Sequence, residues 1–173
     1  MAAGTPPSTQ AIGRAVAAFY GDMPHPKAPT VTVNEYPAYE RVAFMMNDTK
    51  PDGAAVTHAA ESLKQAGISP SEFEQVWHVA RPVANRLLGR DPNLIEVQRL
   101  KTADPKAIQQ HYLDHPFPGY EEVTAGQMAR HYRAAEPIAR QYGRVPNHEE
   151  VSRFALVEAD HDYMHQHFSG EKL

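Results

Sequence analysis

The chain carries one passage twice. Ile68–Tyr112 can be laid over Val123–Phe168 with only small gaps. Ala80, Pro82 and Ala84 answer Ala135, Pro137 and Ala139. Gly89-Arg90, Pro92-Asn93, Glu96-Val97 and Arg99 answer Gly143-Arg144, Pro146-Asn147, Glu150-Val151 and Arg153. Ala103-Asp104 answers Ala159-Asp160, and Gln110-His111-Tyr112 answers Gln166-His167-Phe168. A period of about 55 residues marks a duplicated supersecondary unit whose copies stack on one another. Residues kept in both copies are expected to build the unit, and residues found in one copy are free for other tasks.

Within each copy the local signals predict helices. Ser69-Pro70-Ser71-Glu72 supplies a hydroxyl cap, a first-turn proline and the acid of a capping box, and Thr124-Ala125-Gly126-Gln127 repeats it with glutamine. The first helix then runs to Gly89 or Gly143, where glycine can take the left-handed conformation that ends it. Phe73, Val76-Trp77, Ala80, Val83-Ala84 and Leu87 recur at helical spacing, as do Met128, Tyr132, Ala135, Ile138-Ala139 and Tyr142. Pro82 and Pro137 fall inside these runs and predict kinks. Asn93 with Glu96, and Asn147 with Glu150, restart a second helix with Val97, Leu100, Val151 and Phe154 facing inward. Asp104-Pro105 breaks the first copy, whereas Glu149 to Phe168 could run nearly unbroken in the second. The expected fold is all-α: two tandem kinked helical-hairpin repeats.

Ahead of them, residues 1–9 read as an arm with no means of burying itself, followed by a short helix from Ala11 to Tyr20. Gly21 to Thr32 contains Pro24, Pro26 and Pro29 and predicts an extended strap, because proline fixes φ and biases its predecessor away from helix. Residues 31–36 carry a weak strand signal. The strap has an echo: Asp22, Pro24, Pro26 and Val31-Thr32 match Asp114, Pro116, Pro118 and Val123-Thr124 at a constant offset of 92. Tyr39–Asn47, Pro51-Asp52 and Val56 would make residues 34–67 a third, degraded copy. The chain thus divides into 1–33 (arm, short helix and strap), 34–67, repeat 1 at 68–122 and repeat 2 at 123–173.

Composition narrows the function. With 22% charged and 42% hydrophobic residues this is a globular composition. No apolar run approaches the roughly 18–20 residues needed to span a bilayer, and the N-terminus lacks the features of a secretory signal. The absence of cysteine excludes disulfides and thiolate metal sites. A formal charge of −4 argues against broad nucleic-acid binding. Protonation of the ten histidines would reverse its sign around and below about pH 6.

Two clusters invite a chemical reading. Gly-Arg-x-Pro-Asn-x-x-Glu-Val resembles the helix–turn–helix segment of sigma-factor-like and repressor-like DNA binders, which would make Arg90, Arg99, Arg144 and Arg153 the nucleic-acid contacts. Capping and helix-corner architecture explain every shared residue except Arg90 and Arg144. Glu158, His161 and His165 fall at i, i+3 and i+7, a partial metal-ligand spacing. The first copy has Thr102, Pro105 and Gln109 at the aligned positions, so the pattern is incomplete and no metal is expected. No phosphate loop, dinucleotide fingerprint or nucleophile elbow is present, and no catalytic residues or cofactor are assigned.

The run His115-Pro116-Phe117-Pro118-Gly119-Tyr120 through Val123-Thr124-Ala125-Gly126, then Gly143-Arg144-Val145-Pro146 and Glu150-Val151-Ser152-Arg153-Phe154, resembles small virion and morphogenesis proteins of tailed bacteriophages of high-GC hosts. The resemblance covers roughly residues 71–168. It implies a structural component of head, connector or tail, located in the virion after assembly in the host cytoplasm, with no catalytic residues. The arm and strap suit a chain that drapes over neighbours. The expected function is a non-enzymatic assembly protein, homo-oligomeric within a symmetric complex, contacting other subunits through Pro6, Pro7, Pro24, Pro26 and Pro29. Membrane association is not expected. The alternative is a small cytoplasmic DNA-binding regulator of helix–turn–helix type.

Overall fold

The computed structural model describes residues 4–6 and 8–170, apart from the side chain of Ala17. Helix dominates, with two small two-stranded sheets. The elements are α1 (Thr9–Gly21), β1 (Pro24–His25), β2 (Ala28–Thr32), α2 (Tyr36–Asn47), α3 (Gly53–Ala66) and α4 (Pro70–Leu88), then α5 (Leu94–Leu100) and α6 (Pro105–Leu113). After these come β3 (Pro116–Phe117), β4 (Tyr120–Thr124), α7 (Ala125–Gln141), α8 (His148–Leu156) and α9 (His161–Ser169). Contacts group the chain into two compact units, Met1–Val76 and Trp77–Leu173.

In the first unit the proline strap is a β-hairpin, which corrects the expected extended segment. Pro24 pairs with Thr32 and His25 with Ala28, and Pro26-Lys27 make the corner. Ala28 and Val31 turn fully inward, while Pro24, Pro26 and Pro29 stay exposed. The pattern is not a strict alternation: Pro29 and Thr30 are both exposed between the two buried residues, and the pairing shifts register between Pro24 and His25. The hairpin packs on α2 and α3. Its core partners are Tyr36, Tyr39, Val42 and Ala43 from α2, and Val56, Ala59, Ala60 and Leu63 from α3. Thr32 and Glu35 exchange backbone-to-side-chain hydrogen bonds at the entry to α2. Burial pushes the Glu35 carboxyl up, but the Thr32 hydrogen bonds and Lys64 outweigh it and hold it below the ordinary value.

The second unit is organised around α7, which packs against α6, α8, α9 and both strands of the second hairpin. That hairpin has the register of the first moved by 92 residues: Pro116 pairs with Thr124 and Phe117 with Tyr120. Pro118-Gly119 make its corner, with glycine at φ +84°. Thr124 and Gln127 complete the capping box expected at the start of α7. One apolar cluster joins Ala135, Ile138, Ala139, Phe154, Met164 and Phe168, and another joins Val123, Met128, Val151 and Ala155. Both long helices continue through their prolines, Pro82 and Pro137.

Two helical expectations are corrected. Residues 149–168 do not run unbroken. α8 stops near Leu156, and Glu158 sits in a left-handed turn at φ +49°. The Asp160 side chain then caps α9 by accepting from the Tyr163 backbone N–H at 2.8 Å. This is the role that Asp104 plays for α6 through the Ala107 N–H, also at 2.8 Å. The second long helix is therefore followed by two short ones, as the first was expected to be and is. Tyr142, expected to face inward, is 41% exposed.

Gly53 begins α3 directly beneath the tip of the first hairpin. A Cβ there would stand 1.8 Å from the Lys27 carbonyl oxygen. Because the obstacle is backbone, Gly53→Ala is expected to destabilise the first unit by about 2 kcal/mol or more. Urea unfolding measures it, with Gly13→Ala, a position with open space around it, as the comparison that should show no such loss.

Candidate functional site

The two Gly-Arg-x-Pro-Asn-x-x-Glu corners fold into the same polar cluster. Gly89 and Gly143 end their helices at φ +68° and +70°. Pro92 and Pro146 are buried beneath the turn. Asn93 and Asn147 then cap α5 and α8, and Glu96 and Glu150 return the capping-box bond to the asparagine N–H. These glutamates are the unusual residues: each is buried, at 5% and 6% exposure. A carboxylate so placed must be fully paired or become neutral.

Each is fully paired. Arg90 Nη1 donates to Glu96 Oε1 at 2.6 Å and Nη2 reaches Oε2 at 3.4 Å. His111 Nε2, from α6, lies 3.3 Å from Oε2. In the second corner Arg144 Nη2 donates to both Glu150 oxygens at 3.0 and 2.9 Å, and His167 Nε2, from α9, stands 2.5 Å from Oε2. Arg144 also lies over the Phe168 ring, 5.3 Å from its centroid. Burial pushes the two carboxyls up, but the arginine, the asparagine N–H and the histidine outweigh it, so both lie below the ordinary 4.5. The cluster ties three successive helices together through one carboxylate.

The first corner carries two additions. His115 Nδ1 donates to the Pro116 carbonyl at 2.8 Å, leaving Nε2 as an acceptor 3.5 Å from Arg90 Nη2. Tyr112 replaces Phe168, and its hydroxyl is buried without a hydrogen-bond partner. Burial, then the Glu96 charge, push that phenol well above its usual range.

Structural donors meet both oxygens of each carboxylate. The arginines are committed too. Arg90 and Arg144 hold Glu96 and Glu150, and Arg153 pairs with Glu149 one turn back on α8. Of the four side chains expected to contact nucleic acid under the alternative, Arg99 alone is outside an ion pair among the described residues. The metal candidates also separate. Glu158 lies in the turn before α9 and shares no helical face with His161 and His165. The two histidine rings are 4.5 Å apart, and His165 Nδ1 meets the Tyr142 hydroxyl at 3.1 Å. Among the described residues no three His, Asp or Glu side chains converge as ion ligands.

The proposed partner-binding prolines divide differently. Pro6 is exposed in the arm, and Pro7 lies outside the described residues. Pro24, Pro26 and Pro29 are fixed in the first hairpin. The element that precedes them in the chain is α1, whose described side chains from Thr9 to Tyr20 are all exposed. Ile12, Val16, Phe19 and Tyr20 stand on one face of it at i, i+4, i+7 and i+8. The periodicity was visible in the sequence; that no described residue covers it was not.

The chain matches no protein-family model, and comparison with curated proteins and with solved structures returns no match. No helix among the described residues is long and apolar enough to cross a membrane.

The depressed carboxyls give a pH prediction. A group whose folded value lies below its unfolded one stabilises the fold above the unfolded value, about 4.5, and loses that contribution as pH falls through the folded value. Glu150→Gln is expected to cost about 1–2 kcal/mol at neutral pH, discounted for the half-exposed Arg144. Unfolding curves of the variant and the wild type should converge in acid, as pH falls from 4.5 through the lower folded value. Parallel curves across that range would contradict a structural role for the ionised carboxylate.

Proposed function

We propose that this protein is a non-enzymatic assembly subunit, acting in multiple copies, with α1 as the element that engages a neighbouring subunit. The observation that carries this is the α1 face: Ile12 is 50% exposed, Val16 49%, Phe19 65% and Tyr20 54%. A 13-residue helix is at the length where isolated helices are marginal in water. α1 has glycine inside it at Gly13, and Arg14 as its sole charged residue, so no ion pairs within the helix support it. Its helical state therefore calls for an apolar surface to lie on, and a helix laid into a groove is a common docking mode. The absence of charge from the Ile12–Val16–Phe19–Tyr20 face favours a dry contact over a salt-sensitive one.

The same proposal treats the successions α4–α5–α6 and α7–α8–α9 as copies of one kinked unit, bent at Pro82 and Pro137. Matching Arg–Glu–His clusters at the corners support that. A chain built from repeated units, with a helix whose apolar face is uncovered, suits a ring or lattice in which each subunit grips the next. The finest form of the proposal places the assembly in a tailed-phage virion put together in the host cytoplasm; it rests on the sequence resemblance.

Sedimentation velocity on the intact chain tests the assembly role. The wild type is expected to self-associate with rising concentration. The double variant Ile12→Glu/Phe19→Glu is expected to remain monomeric with an unchanged unfolding transition of its helical body, since both side chains already face solvent. A wild-type chain that stays monomeric from the micromolar to the millimolar range contradicts α1-driven self-assembly.

A further inference from the structure

A second surface, in the second unit, has a different chemistry. The end of α4, α6, β3 and the first half of α7 enclose a groove of about 850 Å³. Leu87, Leu113, Phe117 and Met128 contribute its apolar lining. Arg86, Arg130 and Arg133 also line it, and all three are exposed. Most arginines elsewhere are neutralised: Arg41, Arg81, Arg90, Arg140, Arg144 and Arg153 each hold a carboxylate, and Arg14 and Arg99, outside the groove, are the exceptions. No ion pair engages Arg86, Arg130 or Arg133 among the described residues. The one carboxylate lining the groove, Glu136, is taken by Arg140 at 2.6 Å.

This concentration of unpaired cations occurs in a chain of net charge −4, so carboxylates to neutralise them were not scarce. Arg130 and Arg133 are also one turn apart on α7, a like-charge spacing that weakens a helix. Guanidinium forks around an apolar floor are complementary to carboxylates flanking aliphatic side chains. Nucleic acid fits less well, because it needs cations along a backbone track in place of an aliphatic floor. The α1 helix of another copy fits poorly too. It brings Arg14 and, from Thr9 to Gly21, no carboxylate.

We infer that this groove docks an acidic amphipathic segment of a partner protein, with its aliphatic side chains against Leu87, Leu113 and Met128 and its carboxylates on Arg86, Arg130 and Arg133. The inference does not depend on α1 or on the assembly role.

The test uses the intact chain and a synthetic helix-forming peptide of about four turns, leucine on one face and glutamate on the other. Amide shifts of the labelled protein report where it binds, and calorimetry reports how tightly. The peptide is expected to shift residues of the α4 end, α6 and α7. Binding should weaken about tenfold in Arg86→Gln/Arg130→Gln/Arg133→Gln, whose exposed positions leave the unfolding transition unchanged. It should be unaffected in Ile12→Glu/Phe19→Glu, which separates this site from the α1 contact. A lysine-for-glutamate peptide, dodecanoate and a short DNA duplex serve as competitors. Equal binding of any of the three, undiminished affinity in the arginine variant, loss of binding in the α1 variant, or no binding of the acidic peptide each overturns the inference.

Discussion

Everything in the helical body turns on a buried carboxylate at the third position of a helix. Glu96 and Glu150 each close a capping box, receive an arginine from the preceding turn and meet a histidine from the following helix. One side chain thereby fixes the end of one helix, the start of the next and the docking of a third. An unpaired carboxylate at either place would carry a desolvation penalty of several kcal/mol, so the corner forms with all its partners or not at all. Cooperation of that kind selects one geometry among the many that a glycine-proline turn would allow.

The same device, a side chain returned to a backbone N–H at a helix start, places the hairpins. Thr32 with Glu35 and Thr124 with Gln127 make the chain leave each hairpin in the direction its next helix requires. Val31 and Val123 are buried at the same register in their respective hairpins. Two short strands have too little ladder to stand alone. They persist here because each lies on the helices that follow it.

Much of the scaffold was legible in the sequence, and the reason is local. Caps, helix-ending glycines and periodic apolar residues act over three or four positions, so Asn93, Asn147, Gly89 and Gly143 announce their roles without tertiary knowledge. The inward positions Phe73, Trp77, Ala80, Ala84, Val97, Val151 and Phe154 follow from periodicity in the same way. What escaped was set by contacts at a distance. His111 and His167 stood out as residues kept in both copies, yet they complete pairs with Glu96 and Glu150 that lie 15 and 17 positions earlier. The strap looked extended because prolines fix φ, whereas its fold as a hairpin depends on Ala28 and Val31 finding α2 and α3. Glu158 seemed to share a helical face with His161 because nothing short-range signals its left-handed turn. The groove arginines went unnoticed, since a missing partner can be recognised only once every neighbour is in place.

Function enters where this well-satisfied body stops satisfying its own surface. The corners consume their charges internally, but α1 carries an apolar face that no described residue covers. Hydrogen–deuterium exchange of residues 9–21, followed as a function of protein concentration, tests most directly whether that face is an assembly contact. The account predicts amide protection in α1 that rises steeply with concentration while protection of the α7–α8 corner stays constant. Protection in α1 that is the same at every concentration, whether high or absent, contradicts it.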